Sequence, residues 1–315
     1  MTEPLFSRIR PLILRVWRRV EKPARALILL IVLVVLVRDL SAIGWGEVAR
    51  NLPITPWFYV VFAVNYFALP FYEAIIYHLL WQTGPRILPV LLRKRVYNEA
   101  VLEYSGESAL ILWVARHTPV AERDAFRNVR DVNILSALAA NVVTFLVLAL
   151  VIASTADKLG AGDAALLRRG ALIIGGIVLG LVALGAVLRK RFLSLSLGQC
   201  AAVFGLHTLR LCTYMGMLAL QWHLAIPSTG WQTWMIFIAL QMAGARLPLI
   251  PAKDLFFTSL AMRLGARITL DPAATAGLFV ASSVLTLMAN GAMYVVGLLA
   301  AQKSPPGRSS GGPAS

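Results

Sequence analysis

Charge is what this sequence has least of. Asp, Glu, Lys and Arg make up 14% of its 315 residues, against roughly 25% in an ordinary soluble domain. Acid is scarcer than base, at 15 Asp and Glu against 30 Lys and Arg, for a net charge of +15. A soluble core of this length needs a charged coat, and these charges gather instead in short clusters between apolar runs. No basic stretch is interleaved with aromatics, which argues against a nucleic-acid partner. The excess Lys and Arg fit cytoplasmic loops of a membrane protein, where they set orientation. Cysteine is nearly absent. Cys200 and Cys212 fall in one apolar helix, about 18 Å apart along its axis, so they cannot bridge and read as small core residues. Also missing are a phosphate-binding Gly-x-x-x-x-Gly-Lys loop, His-Glu-x-x-His, Gly-x-Ser-x-Gly and paired metal-binding cysteines. The four histidines are scattered, and neither cofactor nor metal is expected.

What is present is long apolar segments. Residues 1–25 carry Arg8, Arg10, Arg15, Arg18, Arg19, Lys22 and Arg25 among helically spaced apolar residues. This segment suits a basic amphipathic helix on an anionic leaflet, or a plain orientation signal. A span over 26–45 follows, with no small-x-small site that would mark a cleaved signal peptide. Further spans are expected at 57–81, 134–154, 170–188, 197–223 and 273–300. The segments 86–116 and 231–264 are different, because charges, glycines and prolines interrupt them. Irregular polar stretches at membrane depth must be buried in protein or line a wet cavity. The tail over 301–315 is rich in Pro, Gly and Ser and is expected to be disordered.

The two interrupted segments align with each other. Gly106-Glu107 to Arg116 lies over Lys253-Asp254 to Arg263, each an acid, eight mostly apolar residues and an arginine. With a two-residue loop adjustment, Asn141 falls on Asn290. If each broken segment enters and leaves the membrane on one side, units at 57–154 and 197–300 each contribute two crossings. The single linking span at 170–188 then turns the second unit upside down. The expected fold is an all-α polytopic membrane protein of about six full transmembrane helices plus two re-entrant helical hairpins, in an inverted repeat. Clusters of Lys and Arg at 1–25, 82–97 and 116–130 put the N-terminus in the cytoplasm of an inner-membrane protein. Arg168, Arg169, Arg263 and Arg267 fall on the other side and count against the scheme.

Six residues are candidates for a substrate or ion site. Glu107 and Asp254 hold matching hairpin positions and either serve a polar cavity or cap helix starts, where the dipole suits an acid. Arg116 and Arg263 either snorkel to lipid phosphate at the hairpin ends or touch a substrate headgroup. Arg210 shares a helical face with His207 and Tyr214. Buried in a span, it needs a partner, and Glu73 on the 57–81 span is the candidate. The Arg93-Lys94-Arg95 run reads as an orientation signal, with anionic-lipid binding second.

The stretch from Asn98 through Ser105-Gly106-Glu107 to Arg116, with Arg130-Asp131 opening a span, resembles the transmembrane domain family of lysylphosphatidylglycerol synthases and their stand-alone relatives. Leu247-Pro248-Leu249-Ile250-Pro251 matches the start of that family's second-half pattern. The chain then departs from it: the glycines are missing, Thr258 stands where the family has glutamate, and Tyr104 replaces a first-half proline. The resemblance implies a flippase-like role, binding or moving an anionic or glycosylated membrane lipid, an aminoacyl lipid or a hopanoid. A non-transporting partner of a lipid-modifying enzyme and a membrane-embedded lipid transferase are the alternatives.

Overall fold

The computed structural model describes residues 33–100, 105–156, 161–245, 253–267 and 270–302, together with Leu27, Leu30 and Ile31. The expected basic helix at 1–25, the break at Arg246, Pro248 and Pro251, and nearly all of the tail lie outside the described residues. Every regular element among those described is a helix. Helix α1 covers 33–43 and stops at Gly44, whose φ of 97° is open to glycine at little cost. The chain continues through α2 (Trp45–Arg50), α3 (Pro56–Trp81), a short 3-10 turn (Gly84–Ile87), α4 (Leu88–Ala100), α5 (Ser105–His117) and α6 (Glu122–Ala156). Then follow α7 (Ala161–Phe192), α8 (Leu197–Ala225), α9 (Trp231–Ala245), α10 (Lys253–Arg267) and α11 (Pro272–Gln302).

Four of the described helices are long and apolar enough to cross a membrane: Pro56–Trp81, Glu122–Ser154, Leu197–Ala225 and Pro272–Val296. On α3, Trp57, Val60, Val64, Phe67 and Phe71 are all exposed, and their three-to-four spacing makes one continuous apolar stripe. Water solvates such a stripe poorly and lipid does not, so the chain is read as a membrane protein. The helices in the interrupted segments are shorter. α4 and α5 have 13 residues each, and α9 and α10 have 15. At 1.5 Å per residue these reach only about 20–23 Å, less than the roughly 30 Å hydrocarbon core.

The packing is reciprocal. α3 and α8 run antiparallel along each other, since Tyr72 on α3 bonds Thr213 on α8 at 2.8 Å while Phe58 at the start of α3 shares a core with Trp222 at the end of α8. At the other end, Tyr77 and Trp81 share a second core with Cys200 and Val203. α4 packs on α11, and α9 packs on α6. Each core gathers one pair of short helices: α4 and α5 in the second core, α9 and α10 in the first.

Local chemistry explains several of these joints. Ser196 and Gln199 cap α8 reciprocally, each side chain bonding the other's backbone N–H. Asp131 on α6 is fully buried and accepts from Ser194 N, Ser194 Oγ and Leu195 N, which ties α6 to the turn before α8. At Gly106 a Cβ would stand 2.2 Å from the Lys94 carbonyl oxygen, so only glycine lets α5 approach α4 this closely. One core assignment is corrected: Cys200 is buried, but Cys212 is exposed on the outer face of α8, because twelve residues along a helix turn it to a different side.

Candidate functional site

Between the two groups of helices lies a cavity of about 530 Å³. Its lining comes from α3 and α4 on one side and from α8, α9, α10 and α11 on the other. A chain of four charges meets this cavity: Glu73, Lys94 and Arg210 are among the lining residues and Glu107 is not. Lys94 Nζ donates to Glu73 Oε2 at 2.9 Å and lies 3.5 Å from Glu107 Oε1. Arg210 Nη1 reaches the other Glu73 oxygen at 3.5 Å, and Arg210 Nη2 donates to Ser136 Oγ at 3.1 Å. The order is therefore Glu107, Lys94, Glu73, Arg210, alternating in sign and drawn from α5, α4, α3 and α8. Side-chain exposure is 7% for Lys94 and 16% for Arg210. Alternation is what makes such burial tolerable, since a lone buried ion forfeits several kcal/mol of hydration.

Helix starts and breaks hold the chain of charges in place. Asn98 on α4 accepts from Gly106 N at 2.7 Å and donates to Glu107 Oε1 at 3.1 Å, so one amide caps α5 and orients the acid in its first turn. Pro70 has no N–H to offer the carbonyl of Tyr66 one turn earlier. That carbonyl accepts from Arg95 Nη1 at 3.0 Å instead, and the guanidinium lies 4.0 Å from the Tyr66 ring centroid, a cation–π arrangement. Tyr66 OH in turn donates to Asn290 Oδ1 at 2.8 Å, linking α3 to α11.

The opposite wall carries no charge among the lining residues of α9, α10 and α11. Thr258 Oγ1 and Ser283 Oγ pair at 3.1 Å. Ser282 and Thr286 return their hydroxyl protons to their own helix. Gln221 from α8 and Gln241 from α9 complete this side, beside Trp222, Phe257 and Phe279.

Of the six sequence candidates, the structure brings Glu73, Arg210 and Glu107 into one cluster. Asp254 stands in the first turn of α10, one turn before the cavity-lining Phe257 and Thr258; its side chain lies outside the described residues. Arg116 is exposed at the far end of α5, about 14 Å along the axis from Glu107. Arg263 is half-exposed and forms a two-pronged ion pair with Asp39, at 2.9 Å for both bonds, so its guanidinium fastens α10 to α1.

The sequence reading missed Lys94. It sits in a run of three cations, and only one of the three is buried like a core residue. A signal was nevertheless available: Glu73 and Glu107 are two acids in apolar surroundings, and Arg210 is one base. Charge balance calls for a second base, and the nearest run is Arg93-Lys94-Arg95. His207 was also undervalued. It is 1% exposed, one turn before Arg210, and both ring nitrogens are buried without a hydrogen-bond partner.

Comparison with protein-family models, with curated proteins and with solved structures finds no match to this chain.

Proposed function

We propose that this protein is a lipid translocase of the cytoplasmic membrane, flippase-like, which passes an amphipathic lipid headgroup through the cavity between its two groups of helices. The observation that carries this reading is the cavity itself: a space with charged and polar side chains in its lining, drawn from both interrupted segments, in a protein with a continuous exposed apolar stripe. Lipid tolerates irregular polar backbone only where it is buried or lines such a space.

The finer topology belongs to the same proposal. Residues 57–154 and 197–300 form inverted units of two crossings each, with α4–α5 and α9–α10 as re-entrant hairpins and with the 26–45 and 170–188 segments as the remaining spans. The N-terminus is cytoplasmic. Two observations support the inversion. The equivalent helices α3 and α8 are antiparallel, and the contacts of α4 with α11 and of α9 with α6 are the pair that a two-fold axis exchanges. Cysteines introduced at Ala121 and Ser228, in a background free of Cys200 and Cys212, are expected to be labelled from the inside and the outside respectively.

In this scheme Glu73–Arg210 is the ion pair that joins the two units. Rocking of one unit on the other stretches that pair while Lys94 holds Glu73 and Glu107 within the first unit. Glu107 and Asp254 serve the cavity from opposite faces. The position where the resembled family carries glutamate is Thr258 here, which points to a headgroup different from that family's.

The test is a leaflet-specific lipid assay in proteoliposomes, with thermal unfolding measured on the same samples. Glu107→Gln and Asp254→Asn are near-isosteric, so folding is expected to persist while translocation falls about tenfold or more, the worth of one lost charge-assisted contact. Unchanged translocation in both variants removes the site. Wild-type protein that moves no lipid removes the function and favours a non-transporting partner of a lipid enzyme.

A further inference from the structure

We infer that the uncharged wall of the cavity is a binding subsite for a neutral, hydroxyl-rich headgroup, a glycosyl or polyol lipid, and not for a cationic or anionic one. The first argument is what the charged wall has left to offer. Both oxygens of Glu73 are engaged, by Lys94 and by Arg210. Glu107 is held at Oε1 by Asn98 and faces Lys94; its Oε2 is buried and unpaired, but the residue is not part of the cavity lining. An ammonium headgroup entering here must compete with Lys94 for its own counter-ions. A phosphate must draw Lys94 or Arg210 away from carboxylates, or Arg95 away from the Tyr66 carbonyl and ring, in a low-dielectric setting, where stranding a charge is expensive.

The second argument is the kind of hydrogen bonding left open. Five buried atoms on residues lining the cavity have no partner: Gln221 Nε2, Trp222 Nε1 and Arg210 Nε, which donate, and Asn65 Oδ1 and Gln241 Oε1, which accept. Gln221 and Trp222 are each 1% exposed and Asn65 6%, so bulk water does not satisfy them in passing. Buried polar groups left unpaired are costly. Ammonium only donates and phosphodiester oxygens only accept, so each matches only part of this set. A hydroxyl does both. Neighbouring hydroxyls on a sugar ring or polyol therefore suit both the donors and the acceptors of this set without moving a charge. The cavity volume lies within the range of about 300–1,000 Å³ usual for small-molecule pockets.

The inference deepens the translocation reading by naming its substrate class, but binding is separable from movement, so the two are tested apart. The full-length protein in nanodiscs is titrated with three lipids that share acyl chains: monoglucosyl-diacylglycerol, lysyl-phosphatidylglycerol and phosphatidic acid. Bound lipid is counted by native mass spectrometry, and free trehalose is run as the soluble arm. The glucosyl lipid is expected to bind at least about tenfold more tightly than either charged lipid, a difference of about 1.4 kcal/mol. Gln241→Met, at a half-buried site, and Gln221→Met should each remove most of that preference. Preference for a charged lipid, equal binding of all three, or full glucosyl binding in both variants overturns the inference. Trehalose binding as tightly as the glucosyl lipid overturns the lipid source. Glucosyl lipid that binds selectively but never crosses the bilayer upholds the inference and defeats the translocation reading. A charged lipid that crosses while the glucosyl lipid does not bind does the reverse.

Discussion

The two walls of the cavity are built from opposite chemistry. On one, Lys94, Glu73 and Arg210 line the space and, with Glu107 beyond the lining, alternate in sign across four helices. On the other, hydroxyls and amides from α8, α9, α10 and α11 surround an aromatic cluster. Buried charges demand partners, so the charged wall spends its bonding on itself and becomes the device that joins α3, α4, α5 and α8. Neutral amides and hydroxyls demand less, so the other wall retains unpaired polar atoms on residues that line the space. The difference teaches that in this molecule charge marks the joint, and the neutral side marks what the joint encloses.

The sharpest way to break the comparison is to remove the central cation. Lys94→Met keeps the side-chain length but leaves Glu73 and Glu107 without their shared partner. A loss of about 3–5 kcal/mol is expected, the cost of stranding buried charge, read as a large fall in unfolding temperature in mild detergent. A shift near zero would mean that the four charges are not a structural unit.

A smaller effect sharpens the role of the joint between units. Glu73→Gln and Arg210→Gln should each destabilise, and the double variant should lose less than the sum, with a coupling energy of about 0.5–3 kcal/mol. Losses that simply add would separate the two residues despite their 3.5 Å approach.

The smallest change is expected on the neutral wall. Thr258→Val breaks the pair with Ser283 while keeping the shape, and should cost about 1 kcal/mol or less. Thermal unfolding checks this too. A loss as large as that of Lys94→Met would make the neutral wall as structural as the charged one and erase the contrast.

How legible these walls were in the sequence follows from the range of the interactions. Glu73 and Arg210 were paired in advance because a lone charge inside an apolar run has few admissible partners. Lys94 was not found, because its neighbours Arg93 and Arg95 give it the look of a loop cation; only the crossing of α4 against α3 and α5 decides which of the three is buried. The link of Arg95 to the Tyr66 carbonyl freed by Pro70 was hidden for the same reason. A proline in a span announces a freed carbonyl, but not which donor arrives. Arg263 was expected to reach lipid phosphate or a substrate headgroup, and its pairing with Asp39 depends on α1 and α10 lying side by side.

By itself, the sequence determined that this protein is helical and bears long apolar segments, because mean hydropathy and run length are additive along the chain and need no knowledge of neighbours. It also determined where the helices break, since glycine, proline and charge act on the backbone locally: Gly44 ends α1 and the 86–116 segment divides into short helices. Only the tertiary structure decided that α3 and α8 lie antiparallel, that Gly106 must be small to pass the Lys94 carbonyl, and that α4 meets α11 as α9 meets α6. Those are relations between residues tens to hundreds of positions apart. A cavity wall exists only where several such relations are satisfied at once, which is why its residues were visible one by one in the sequence and its shape was not.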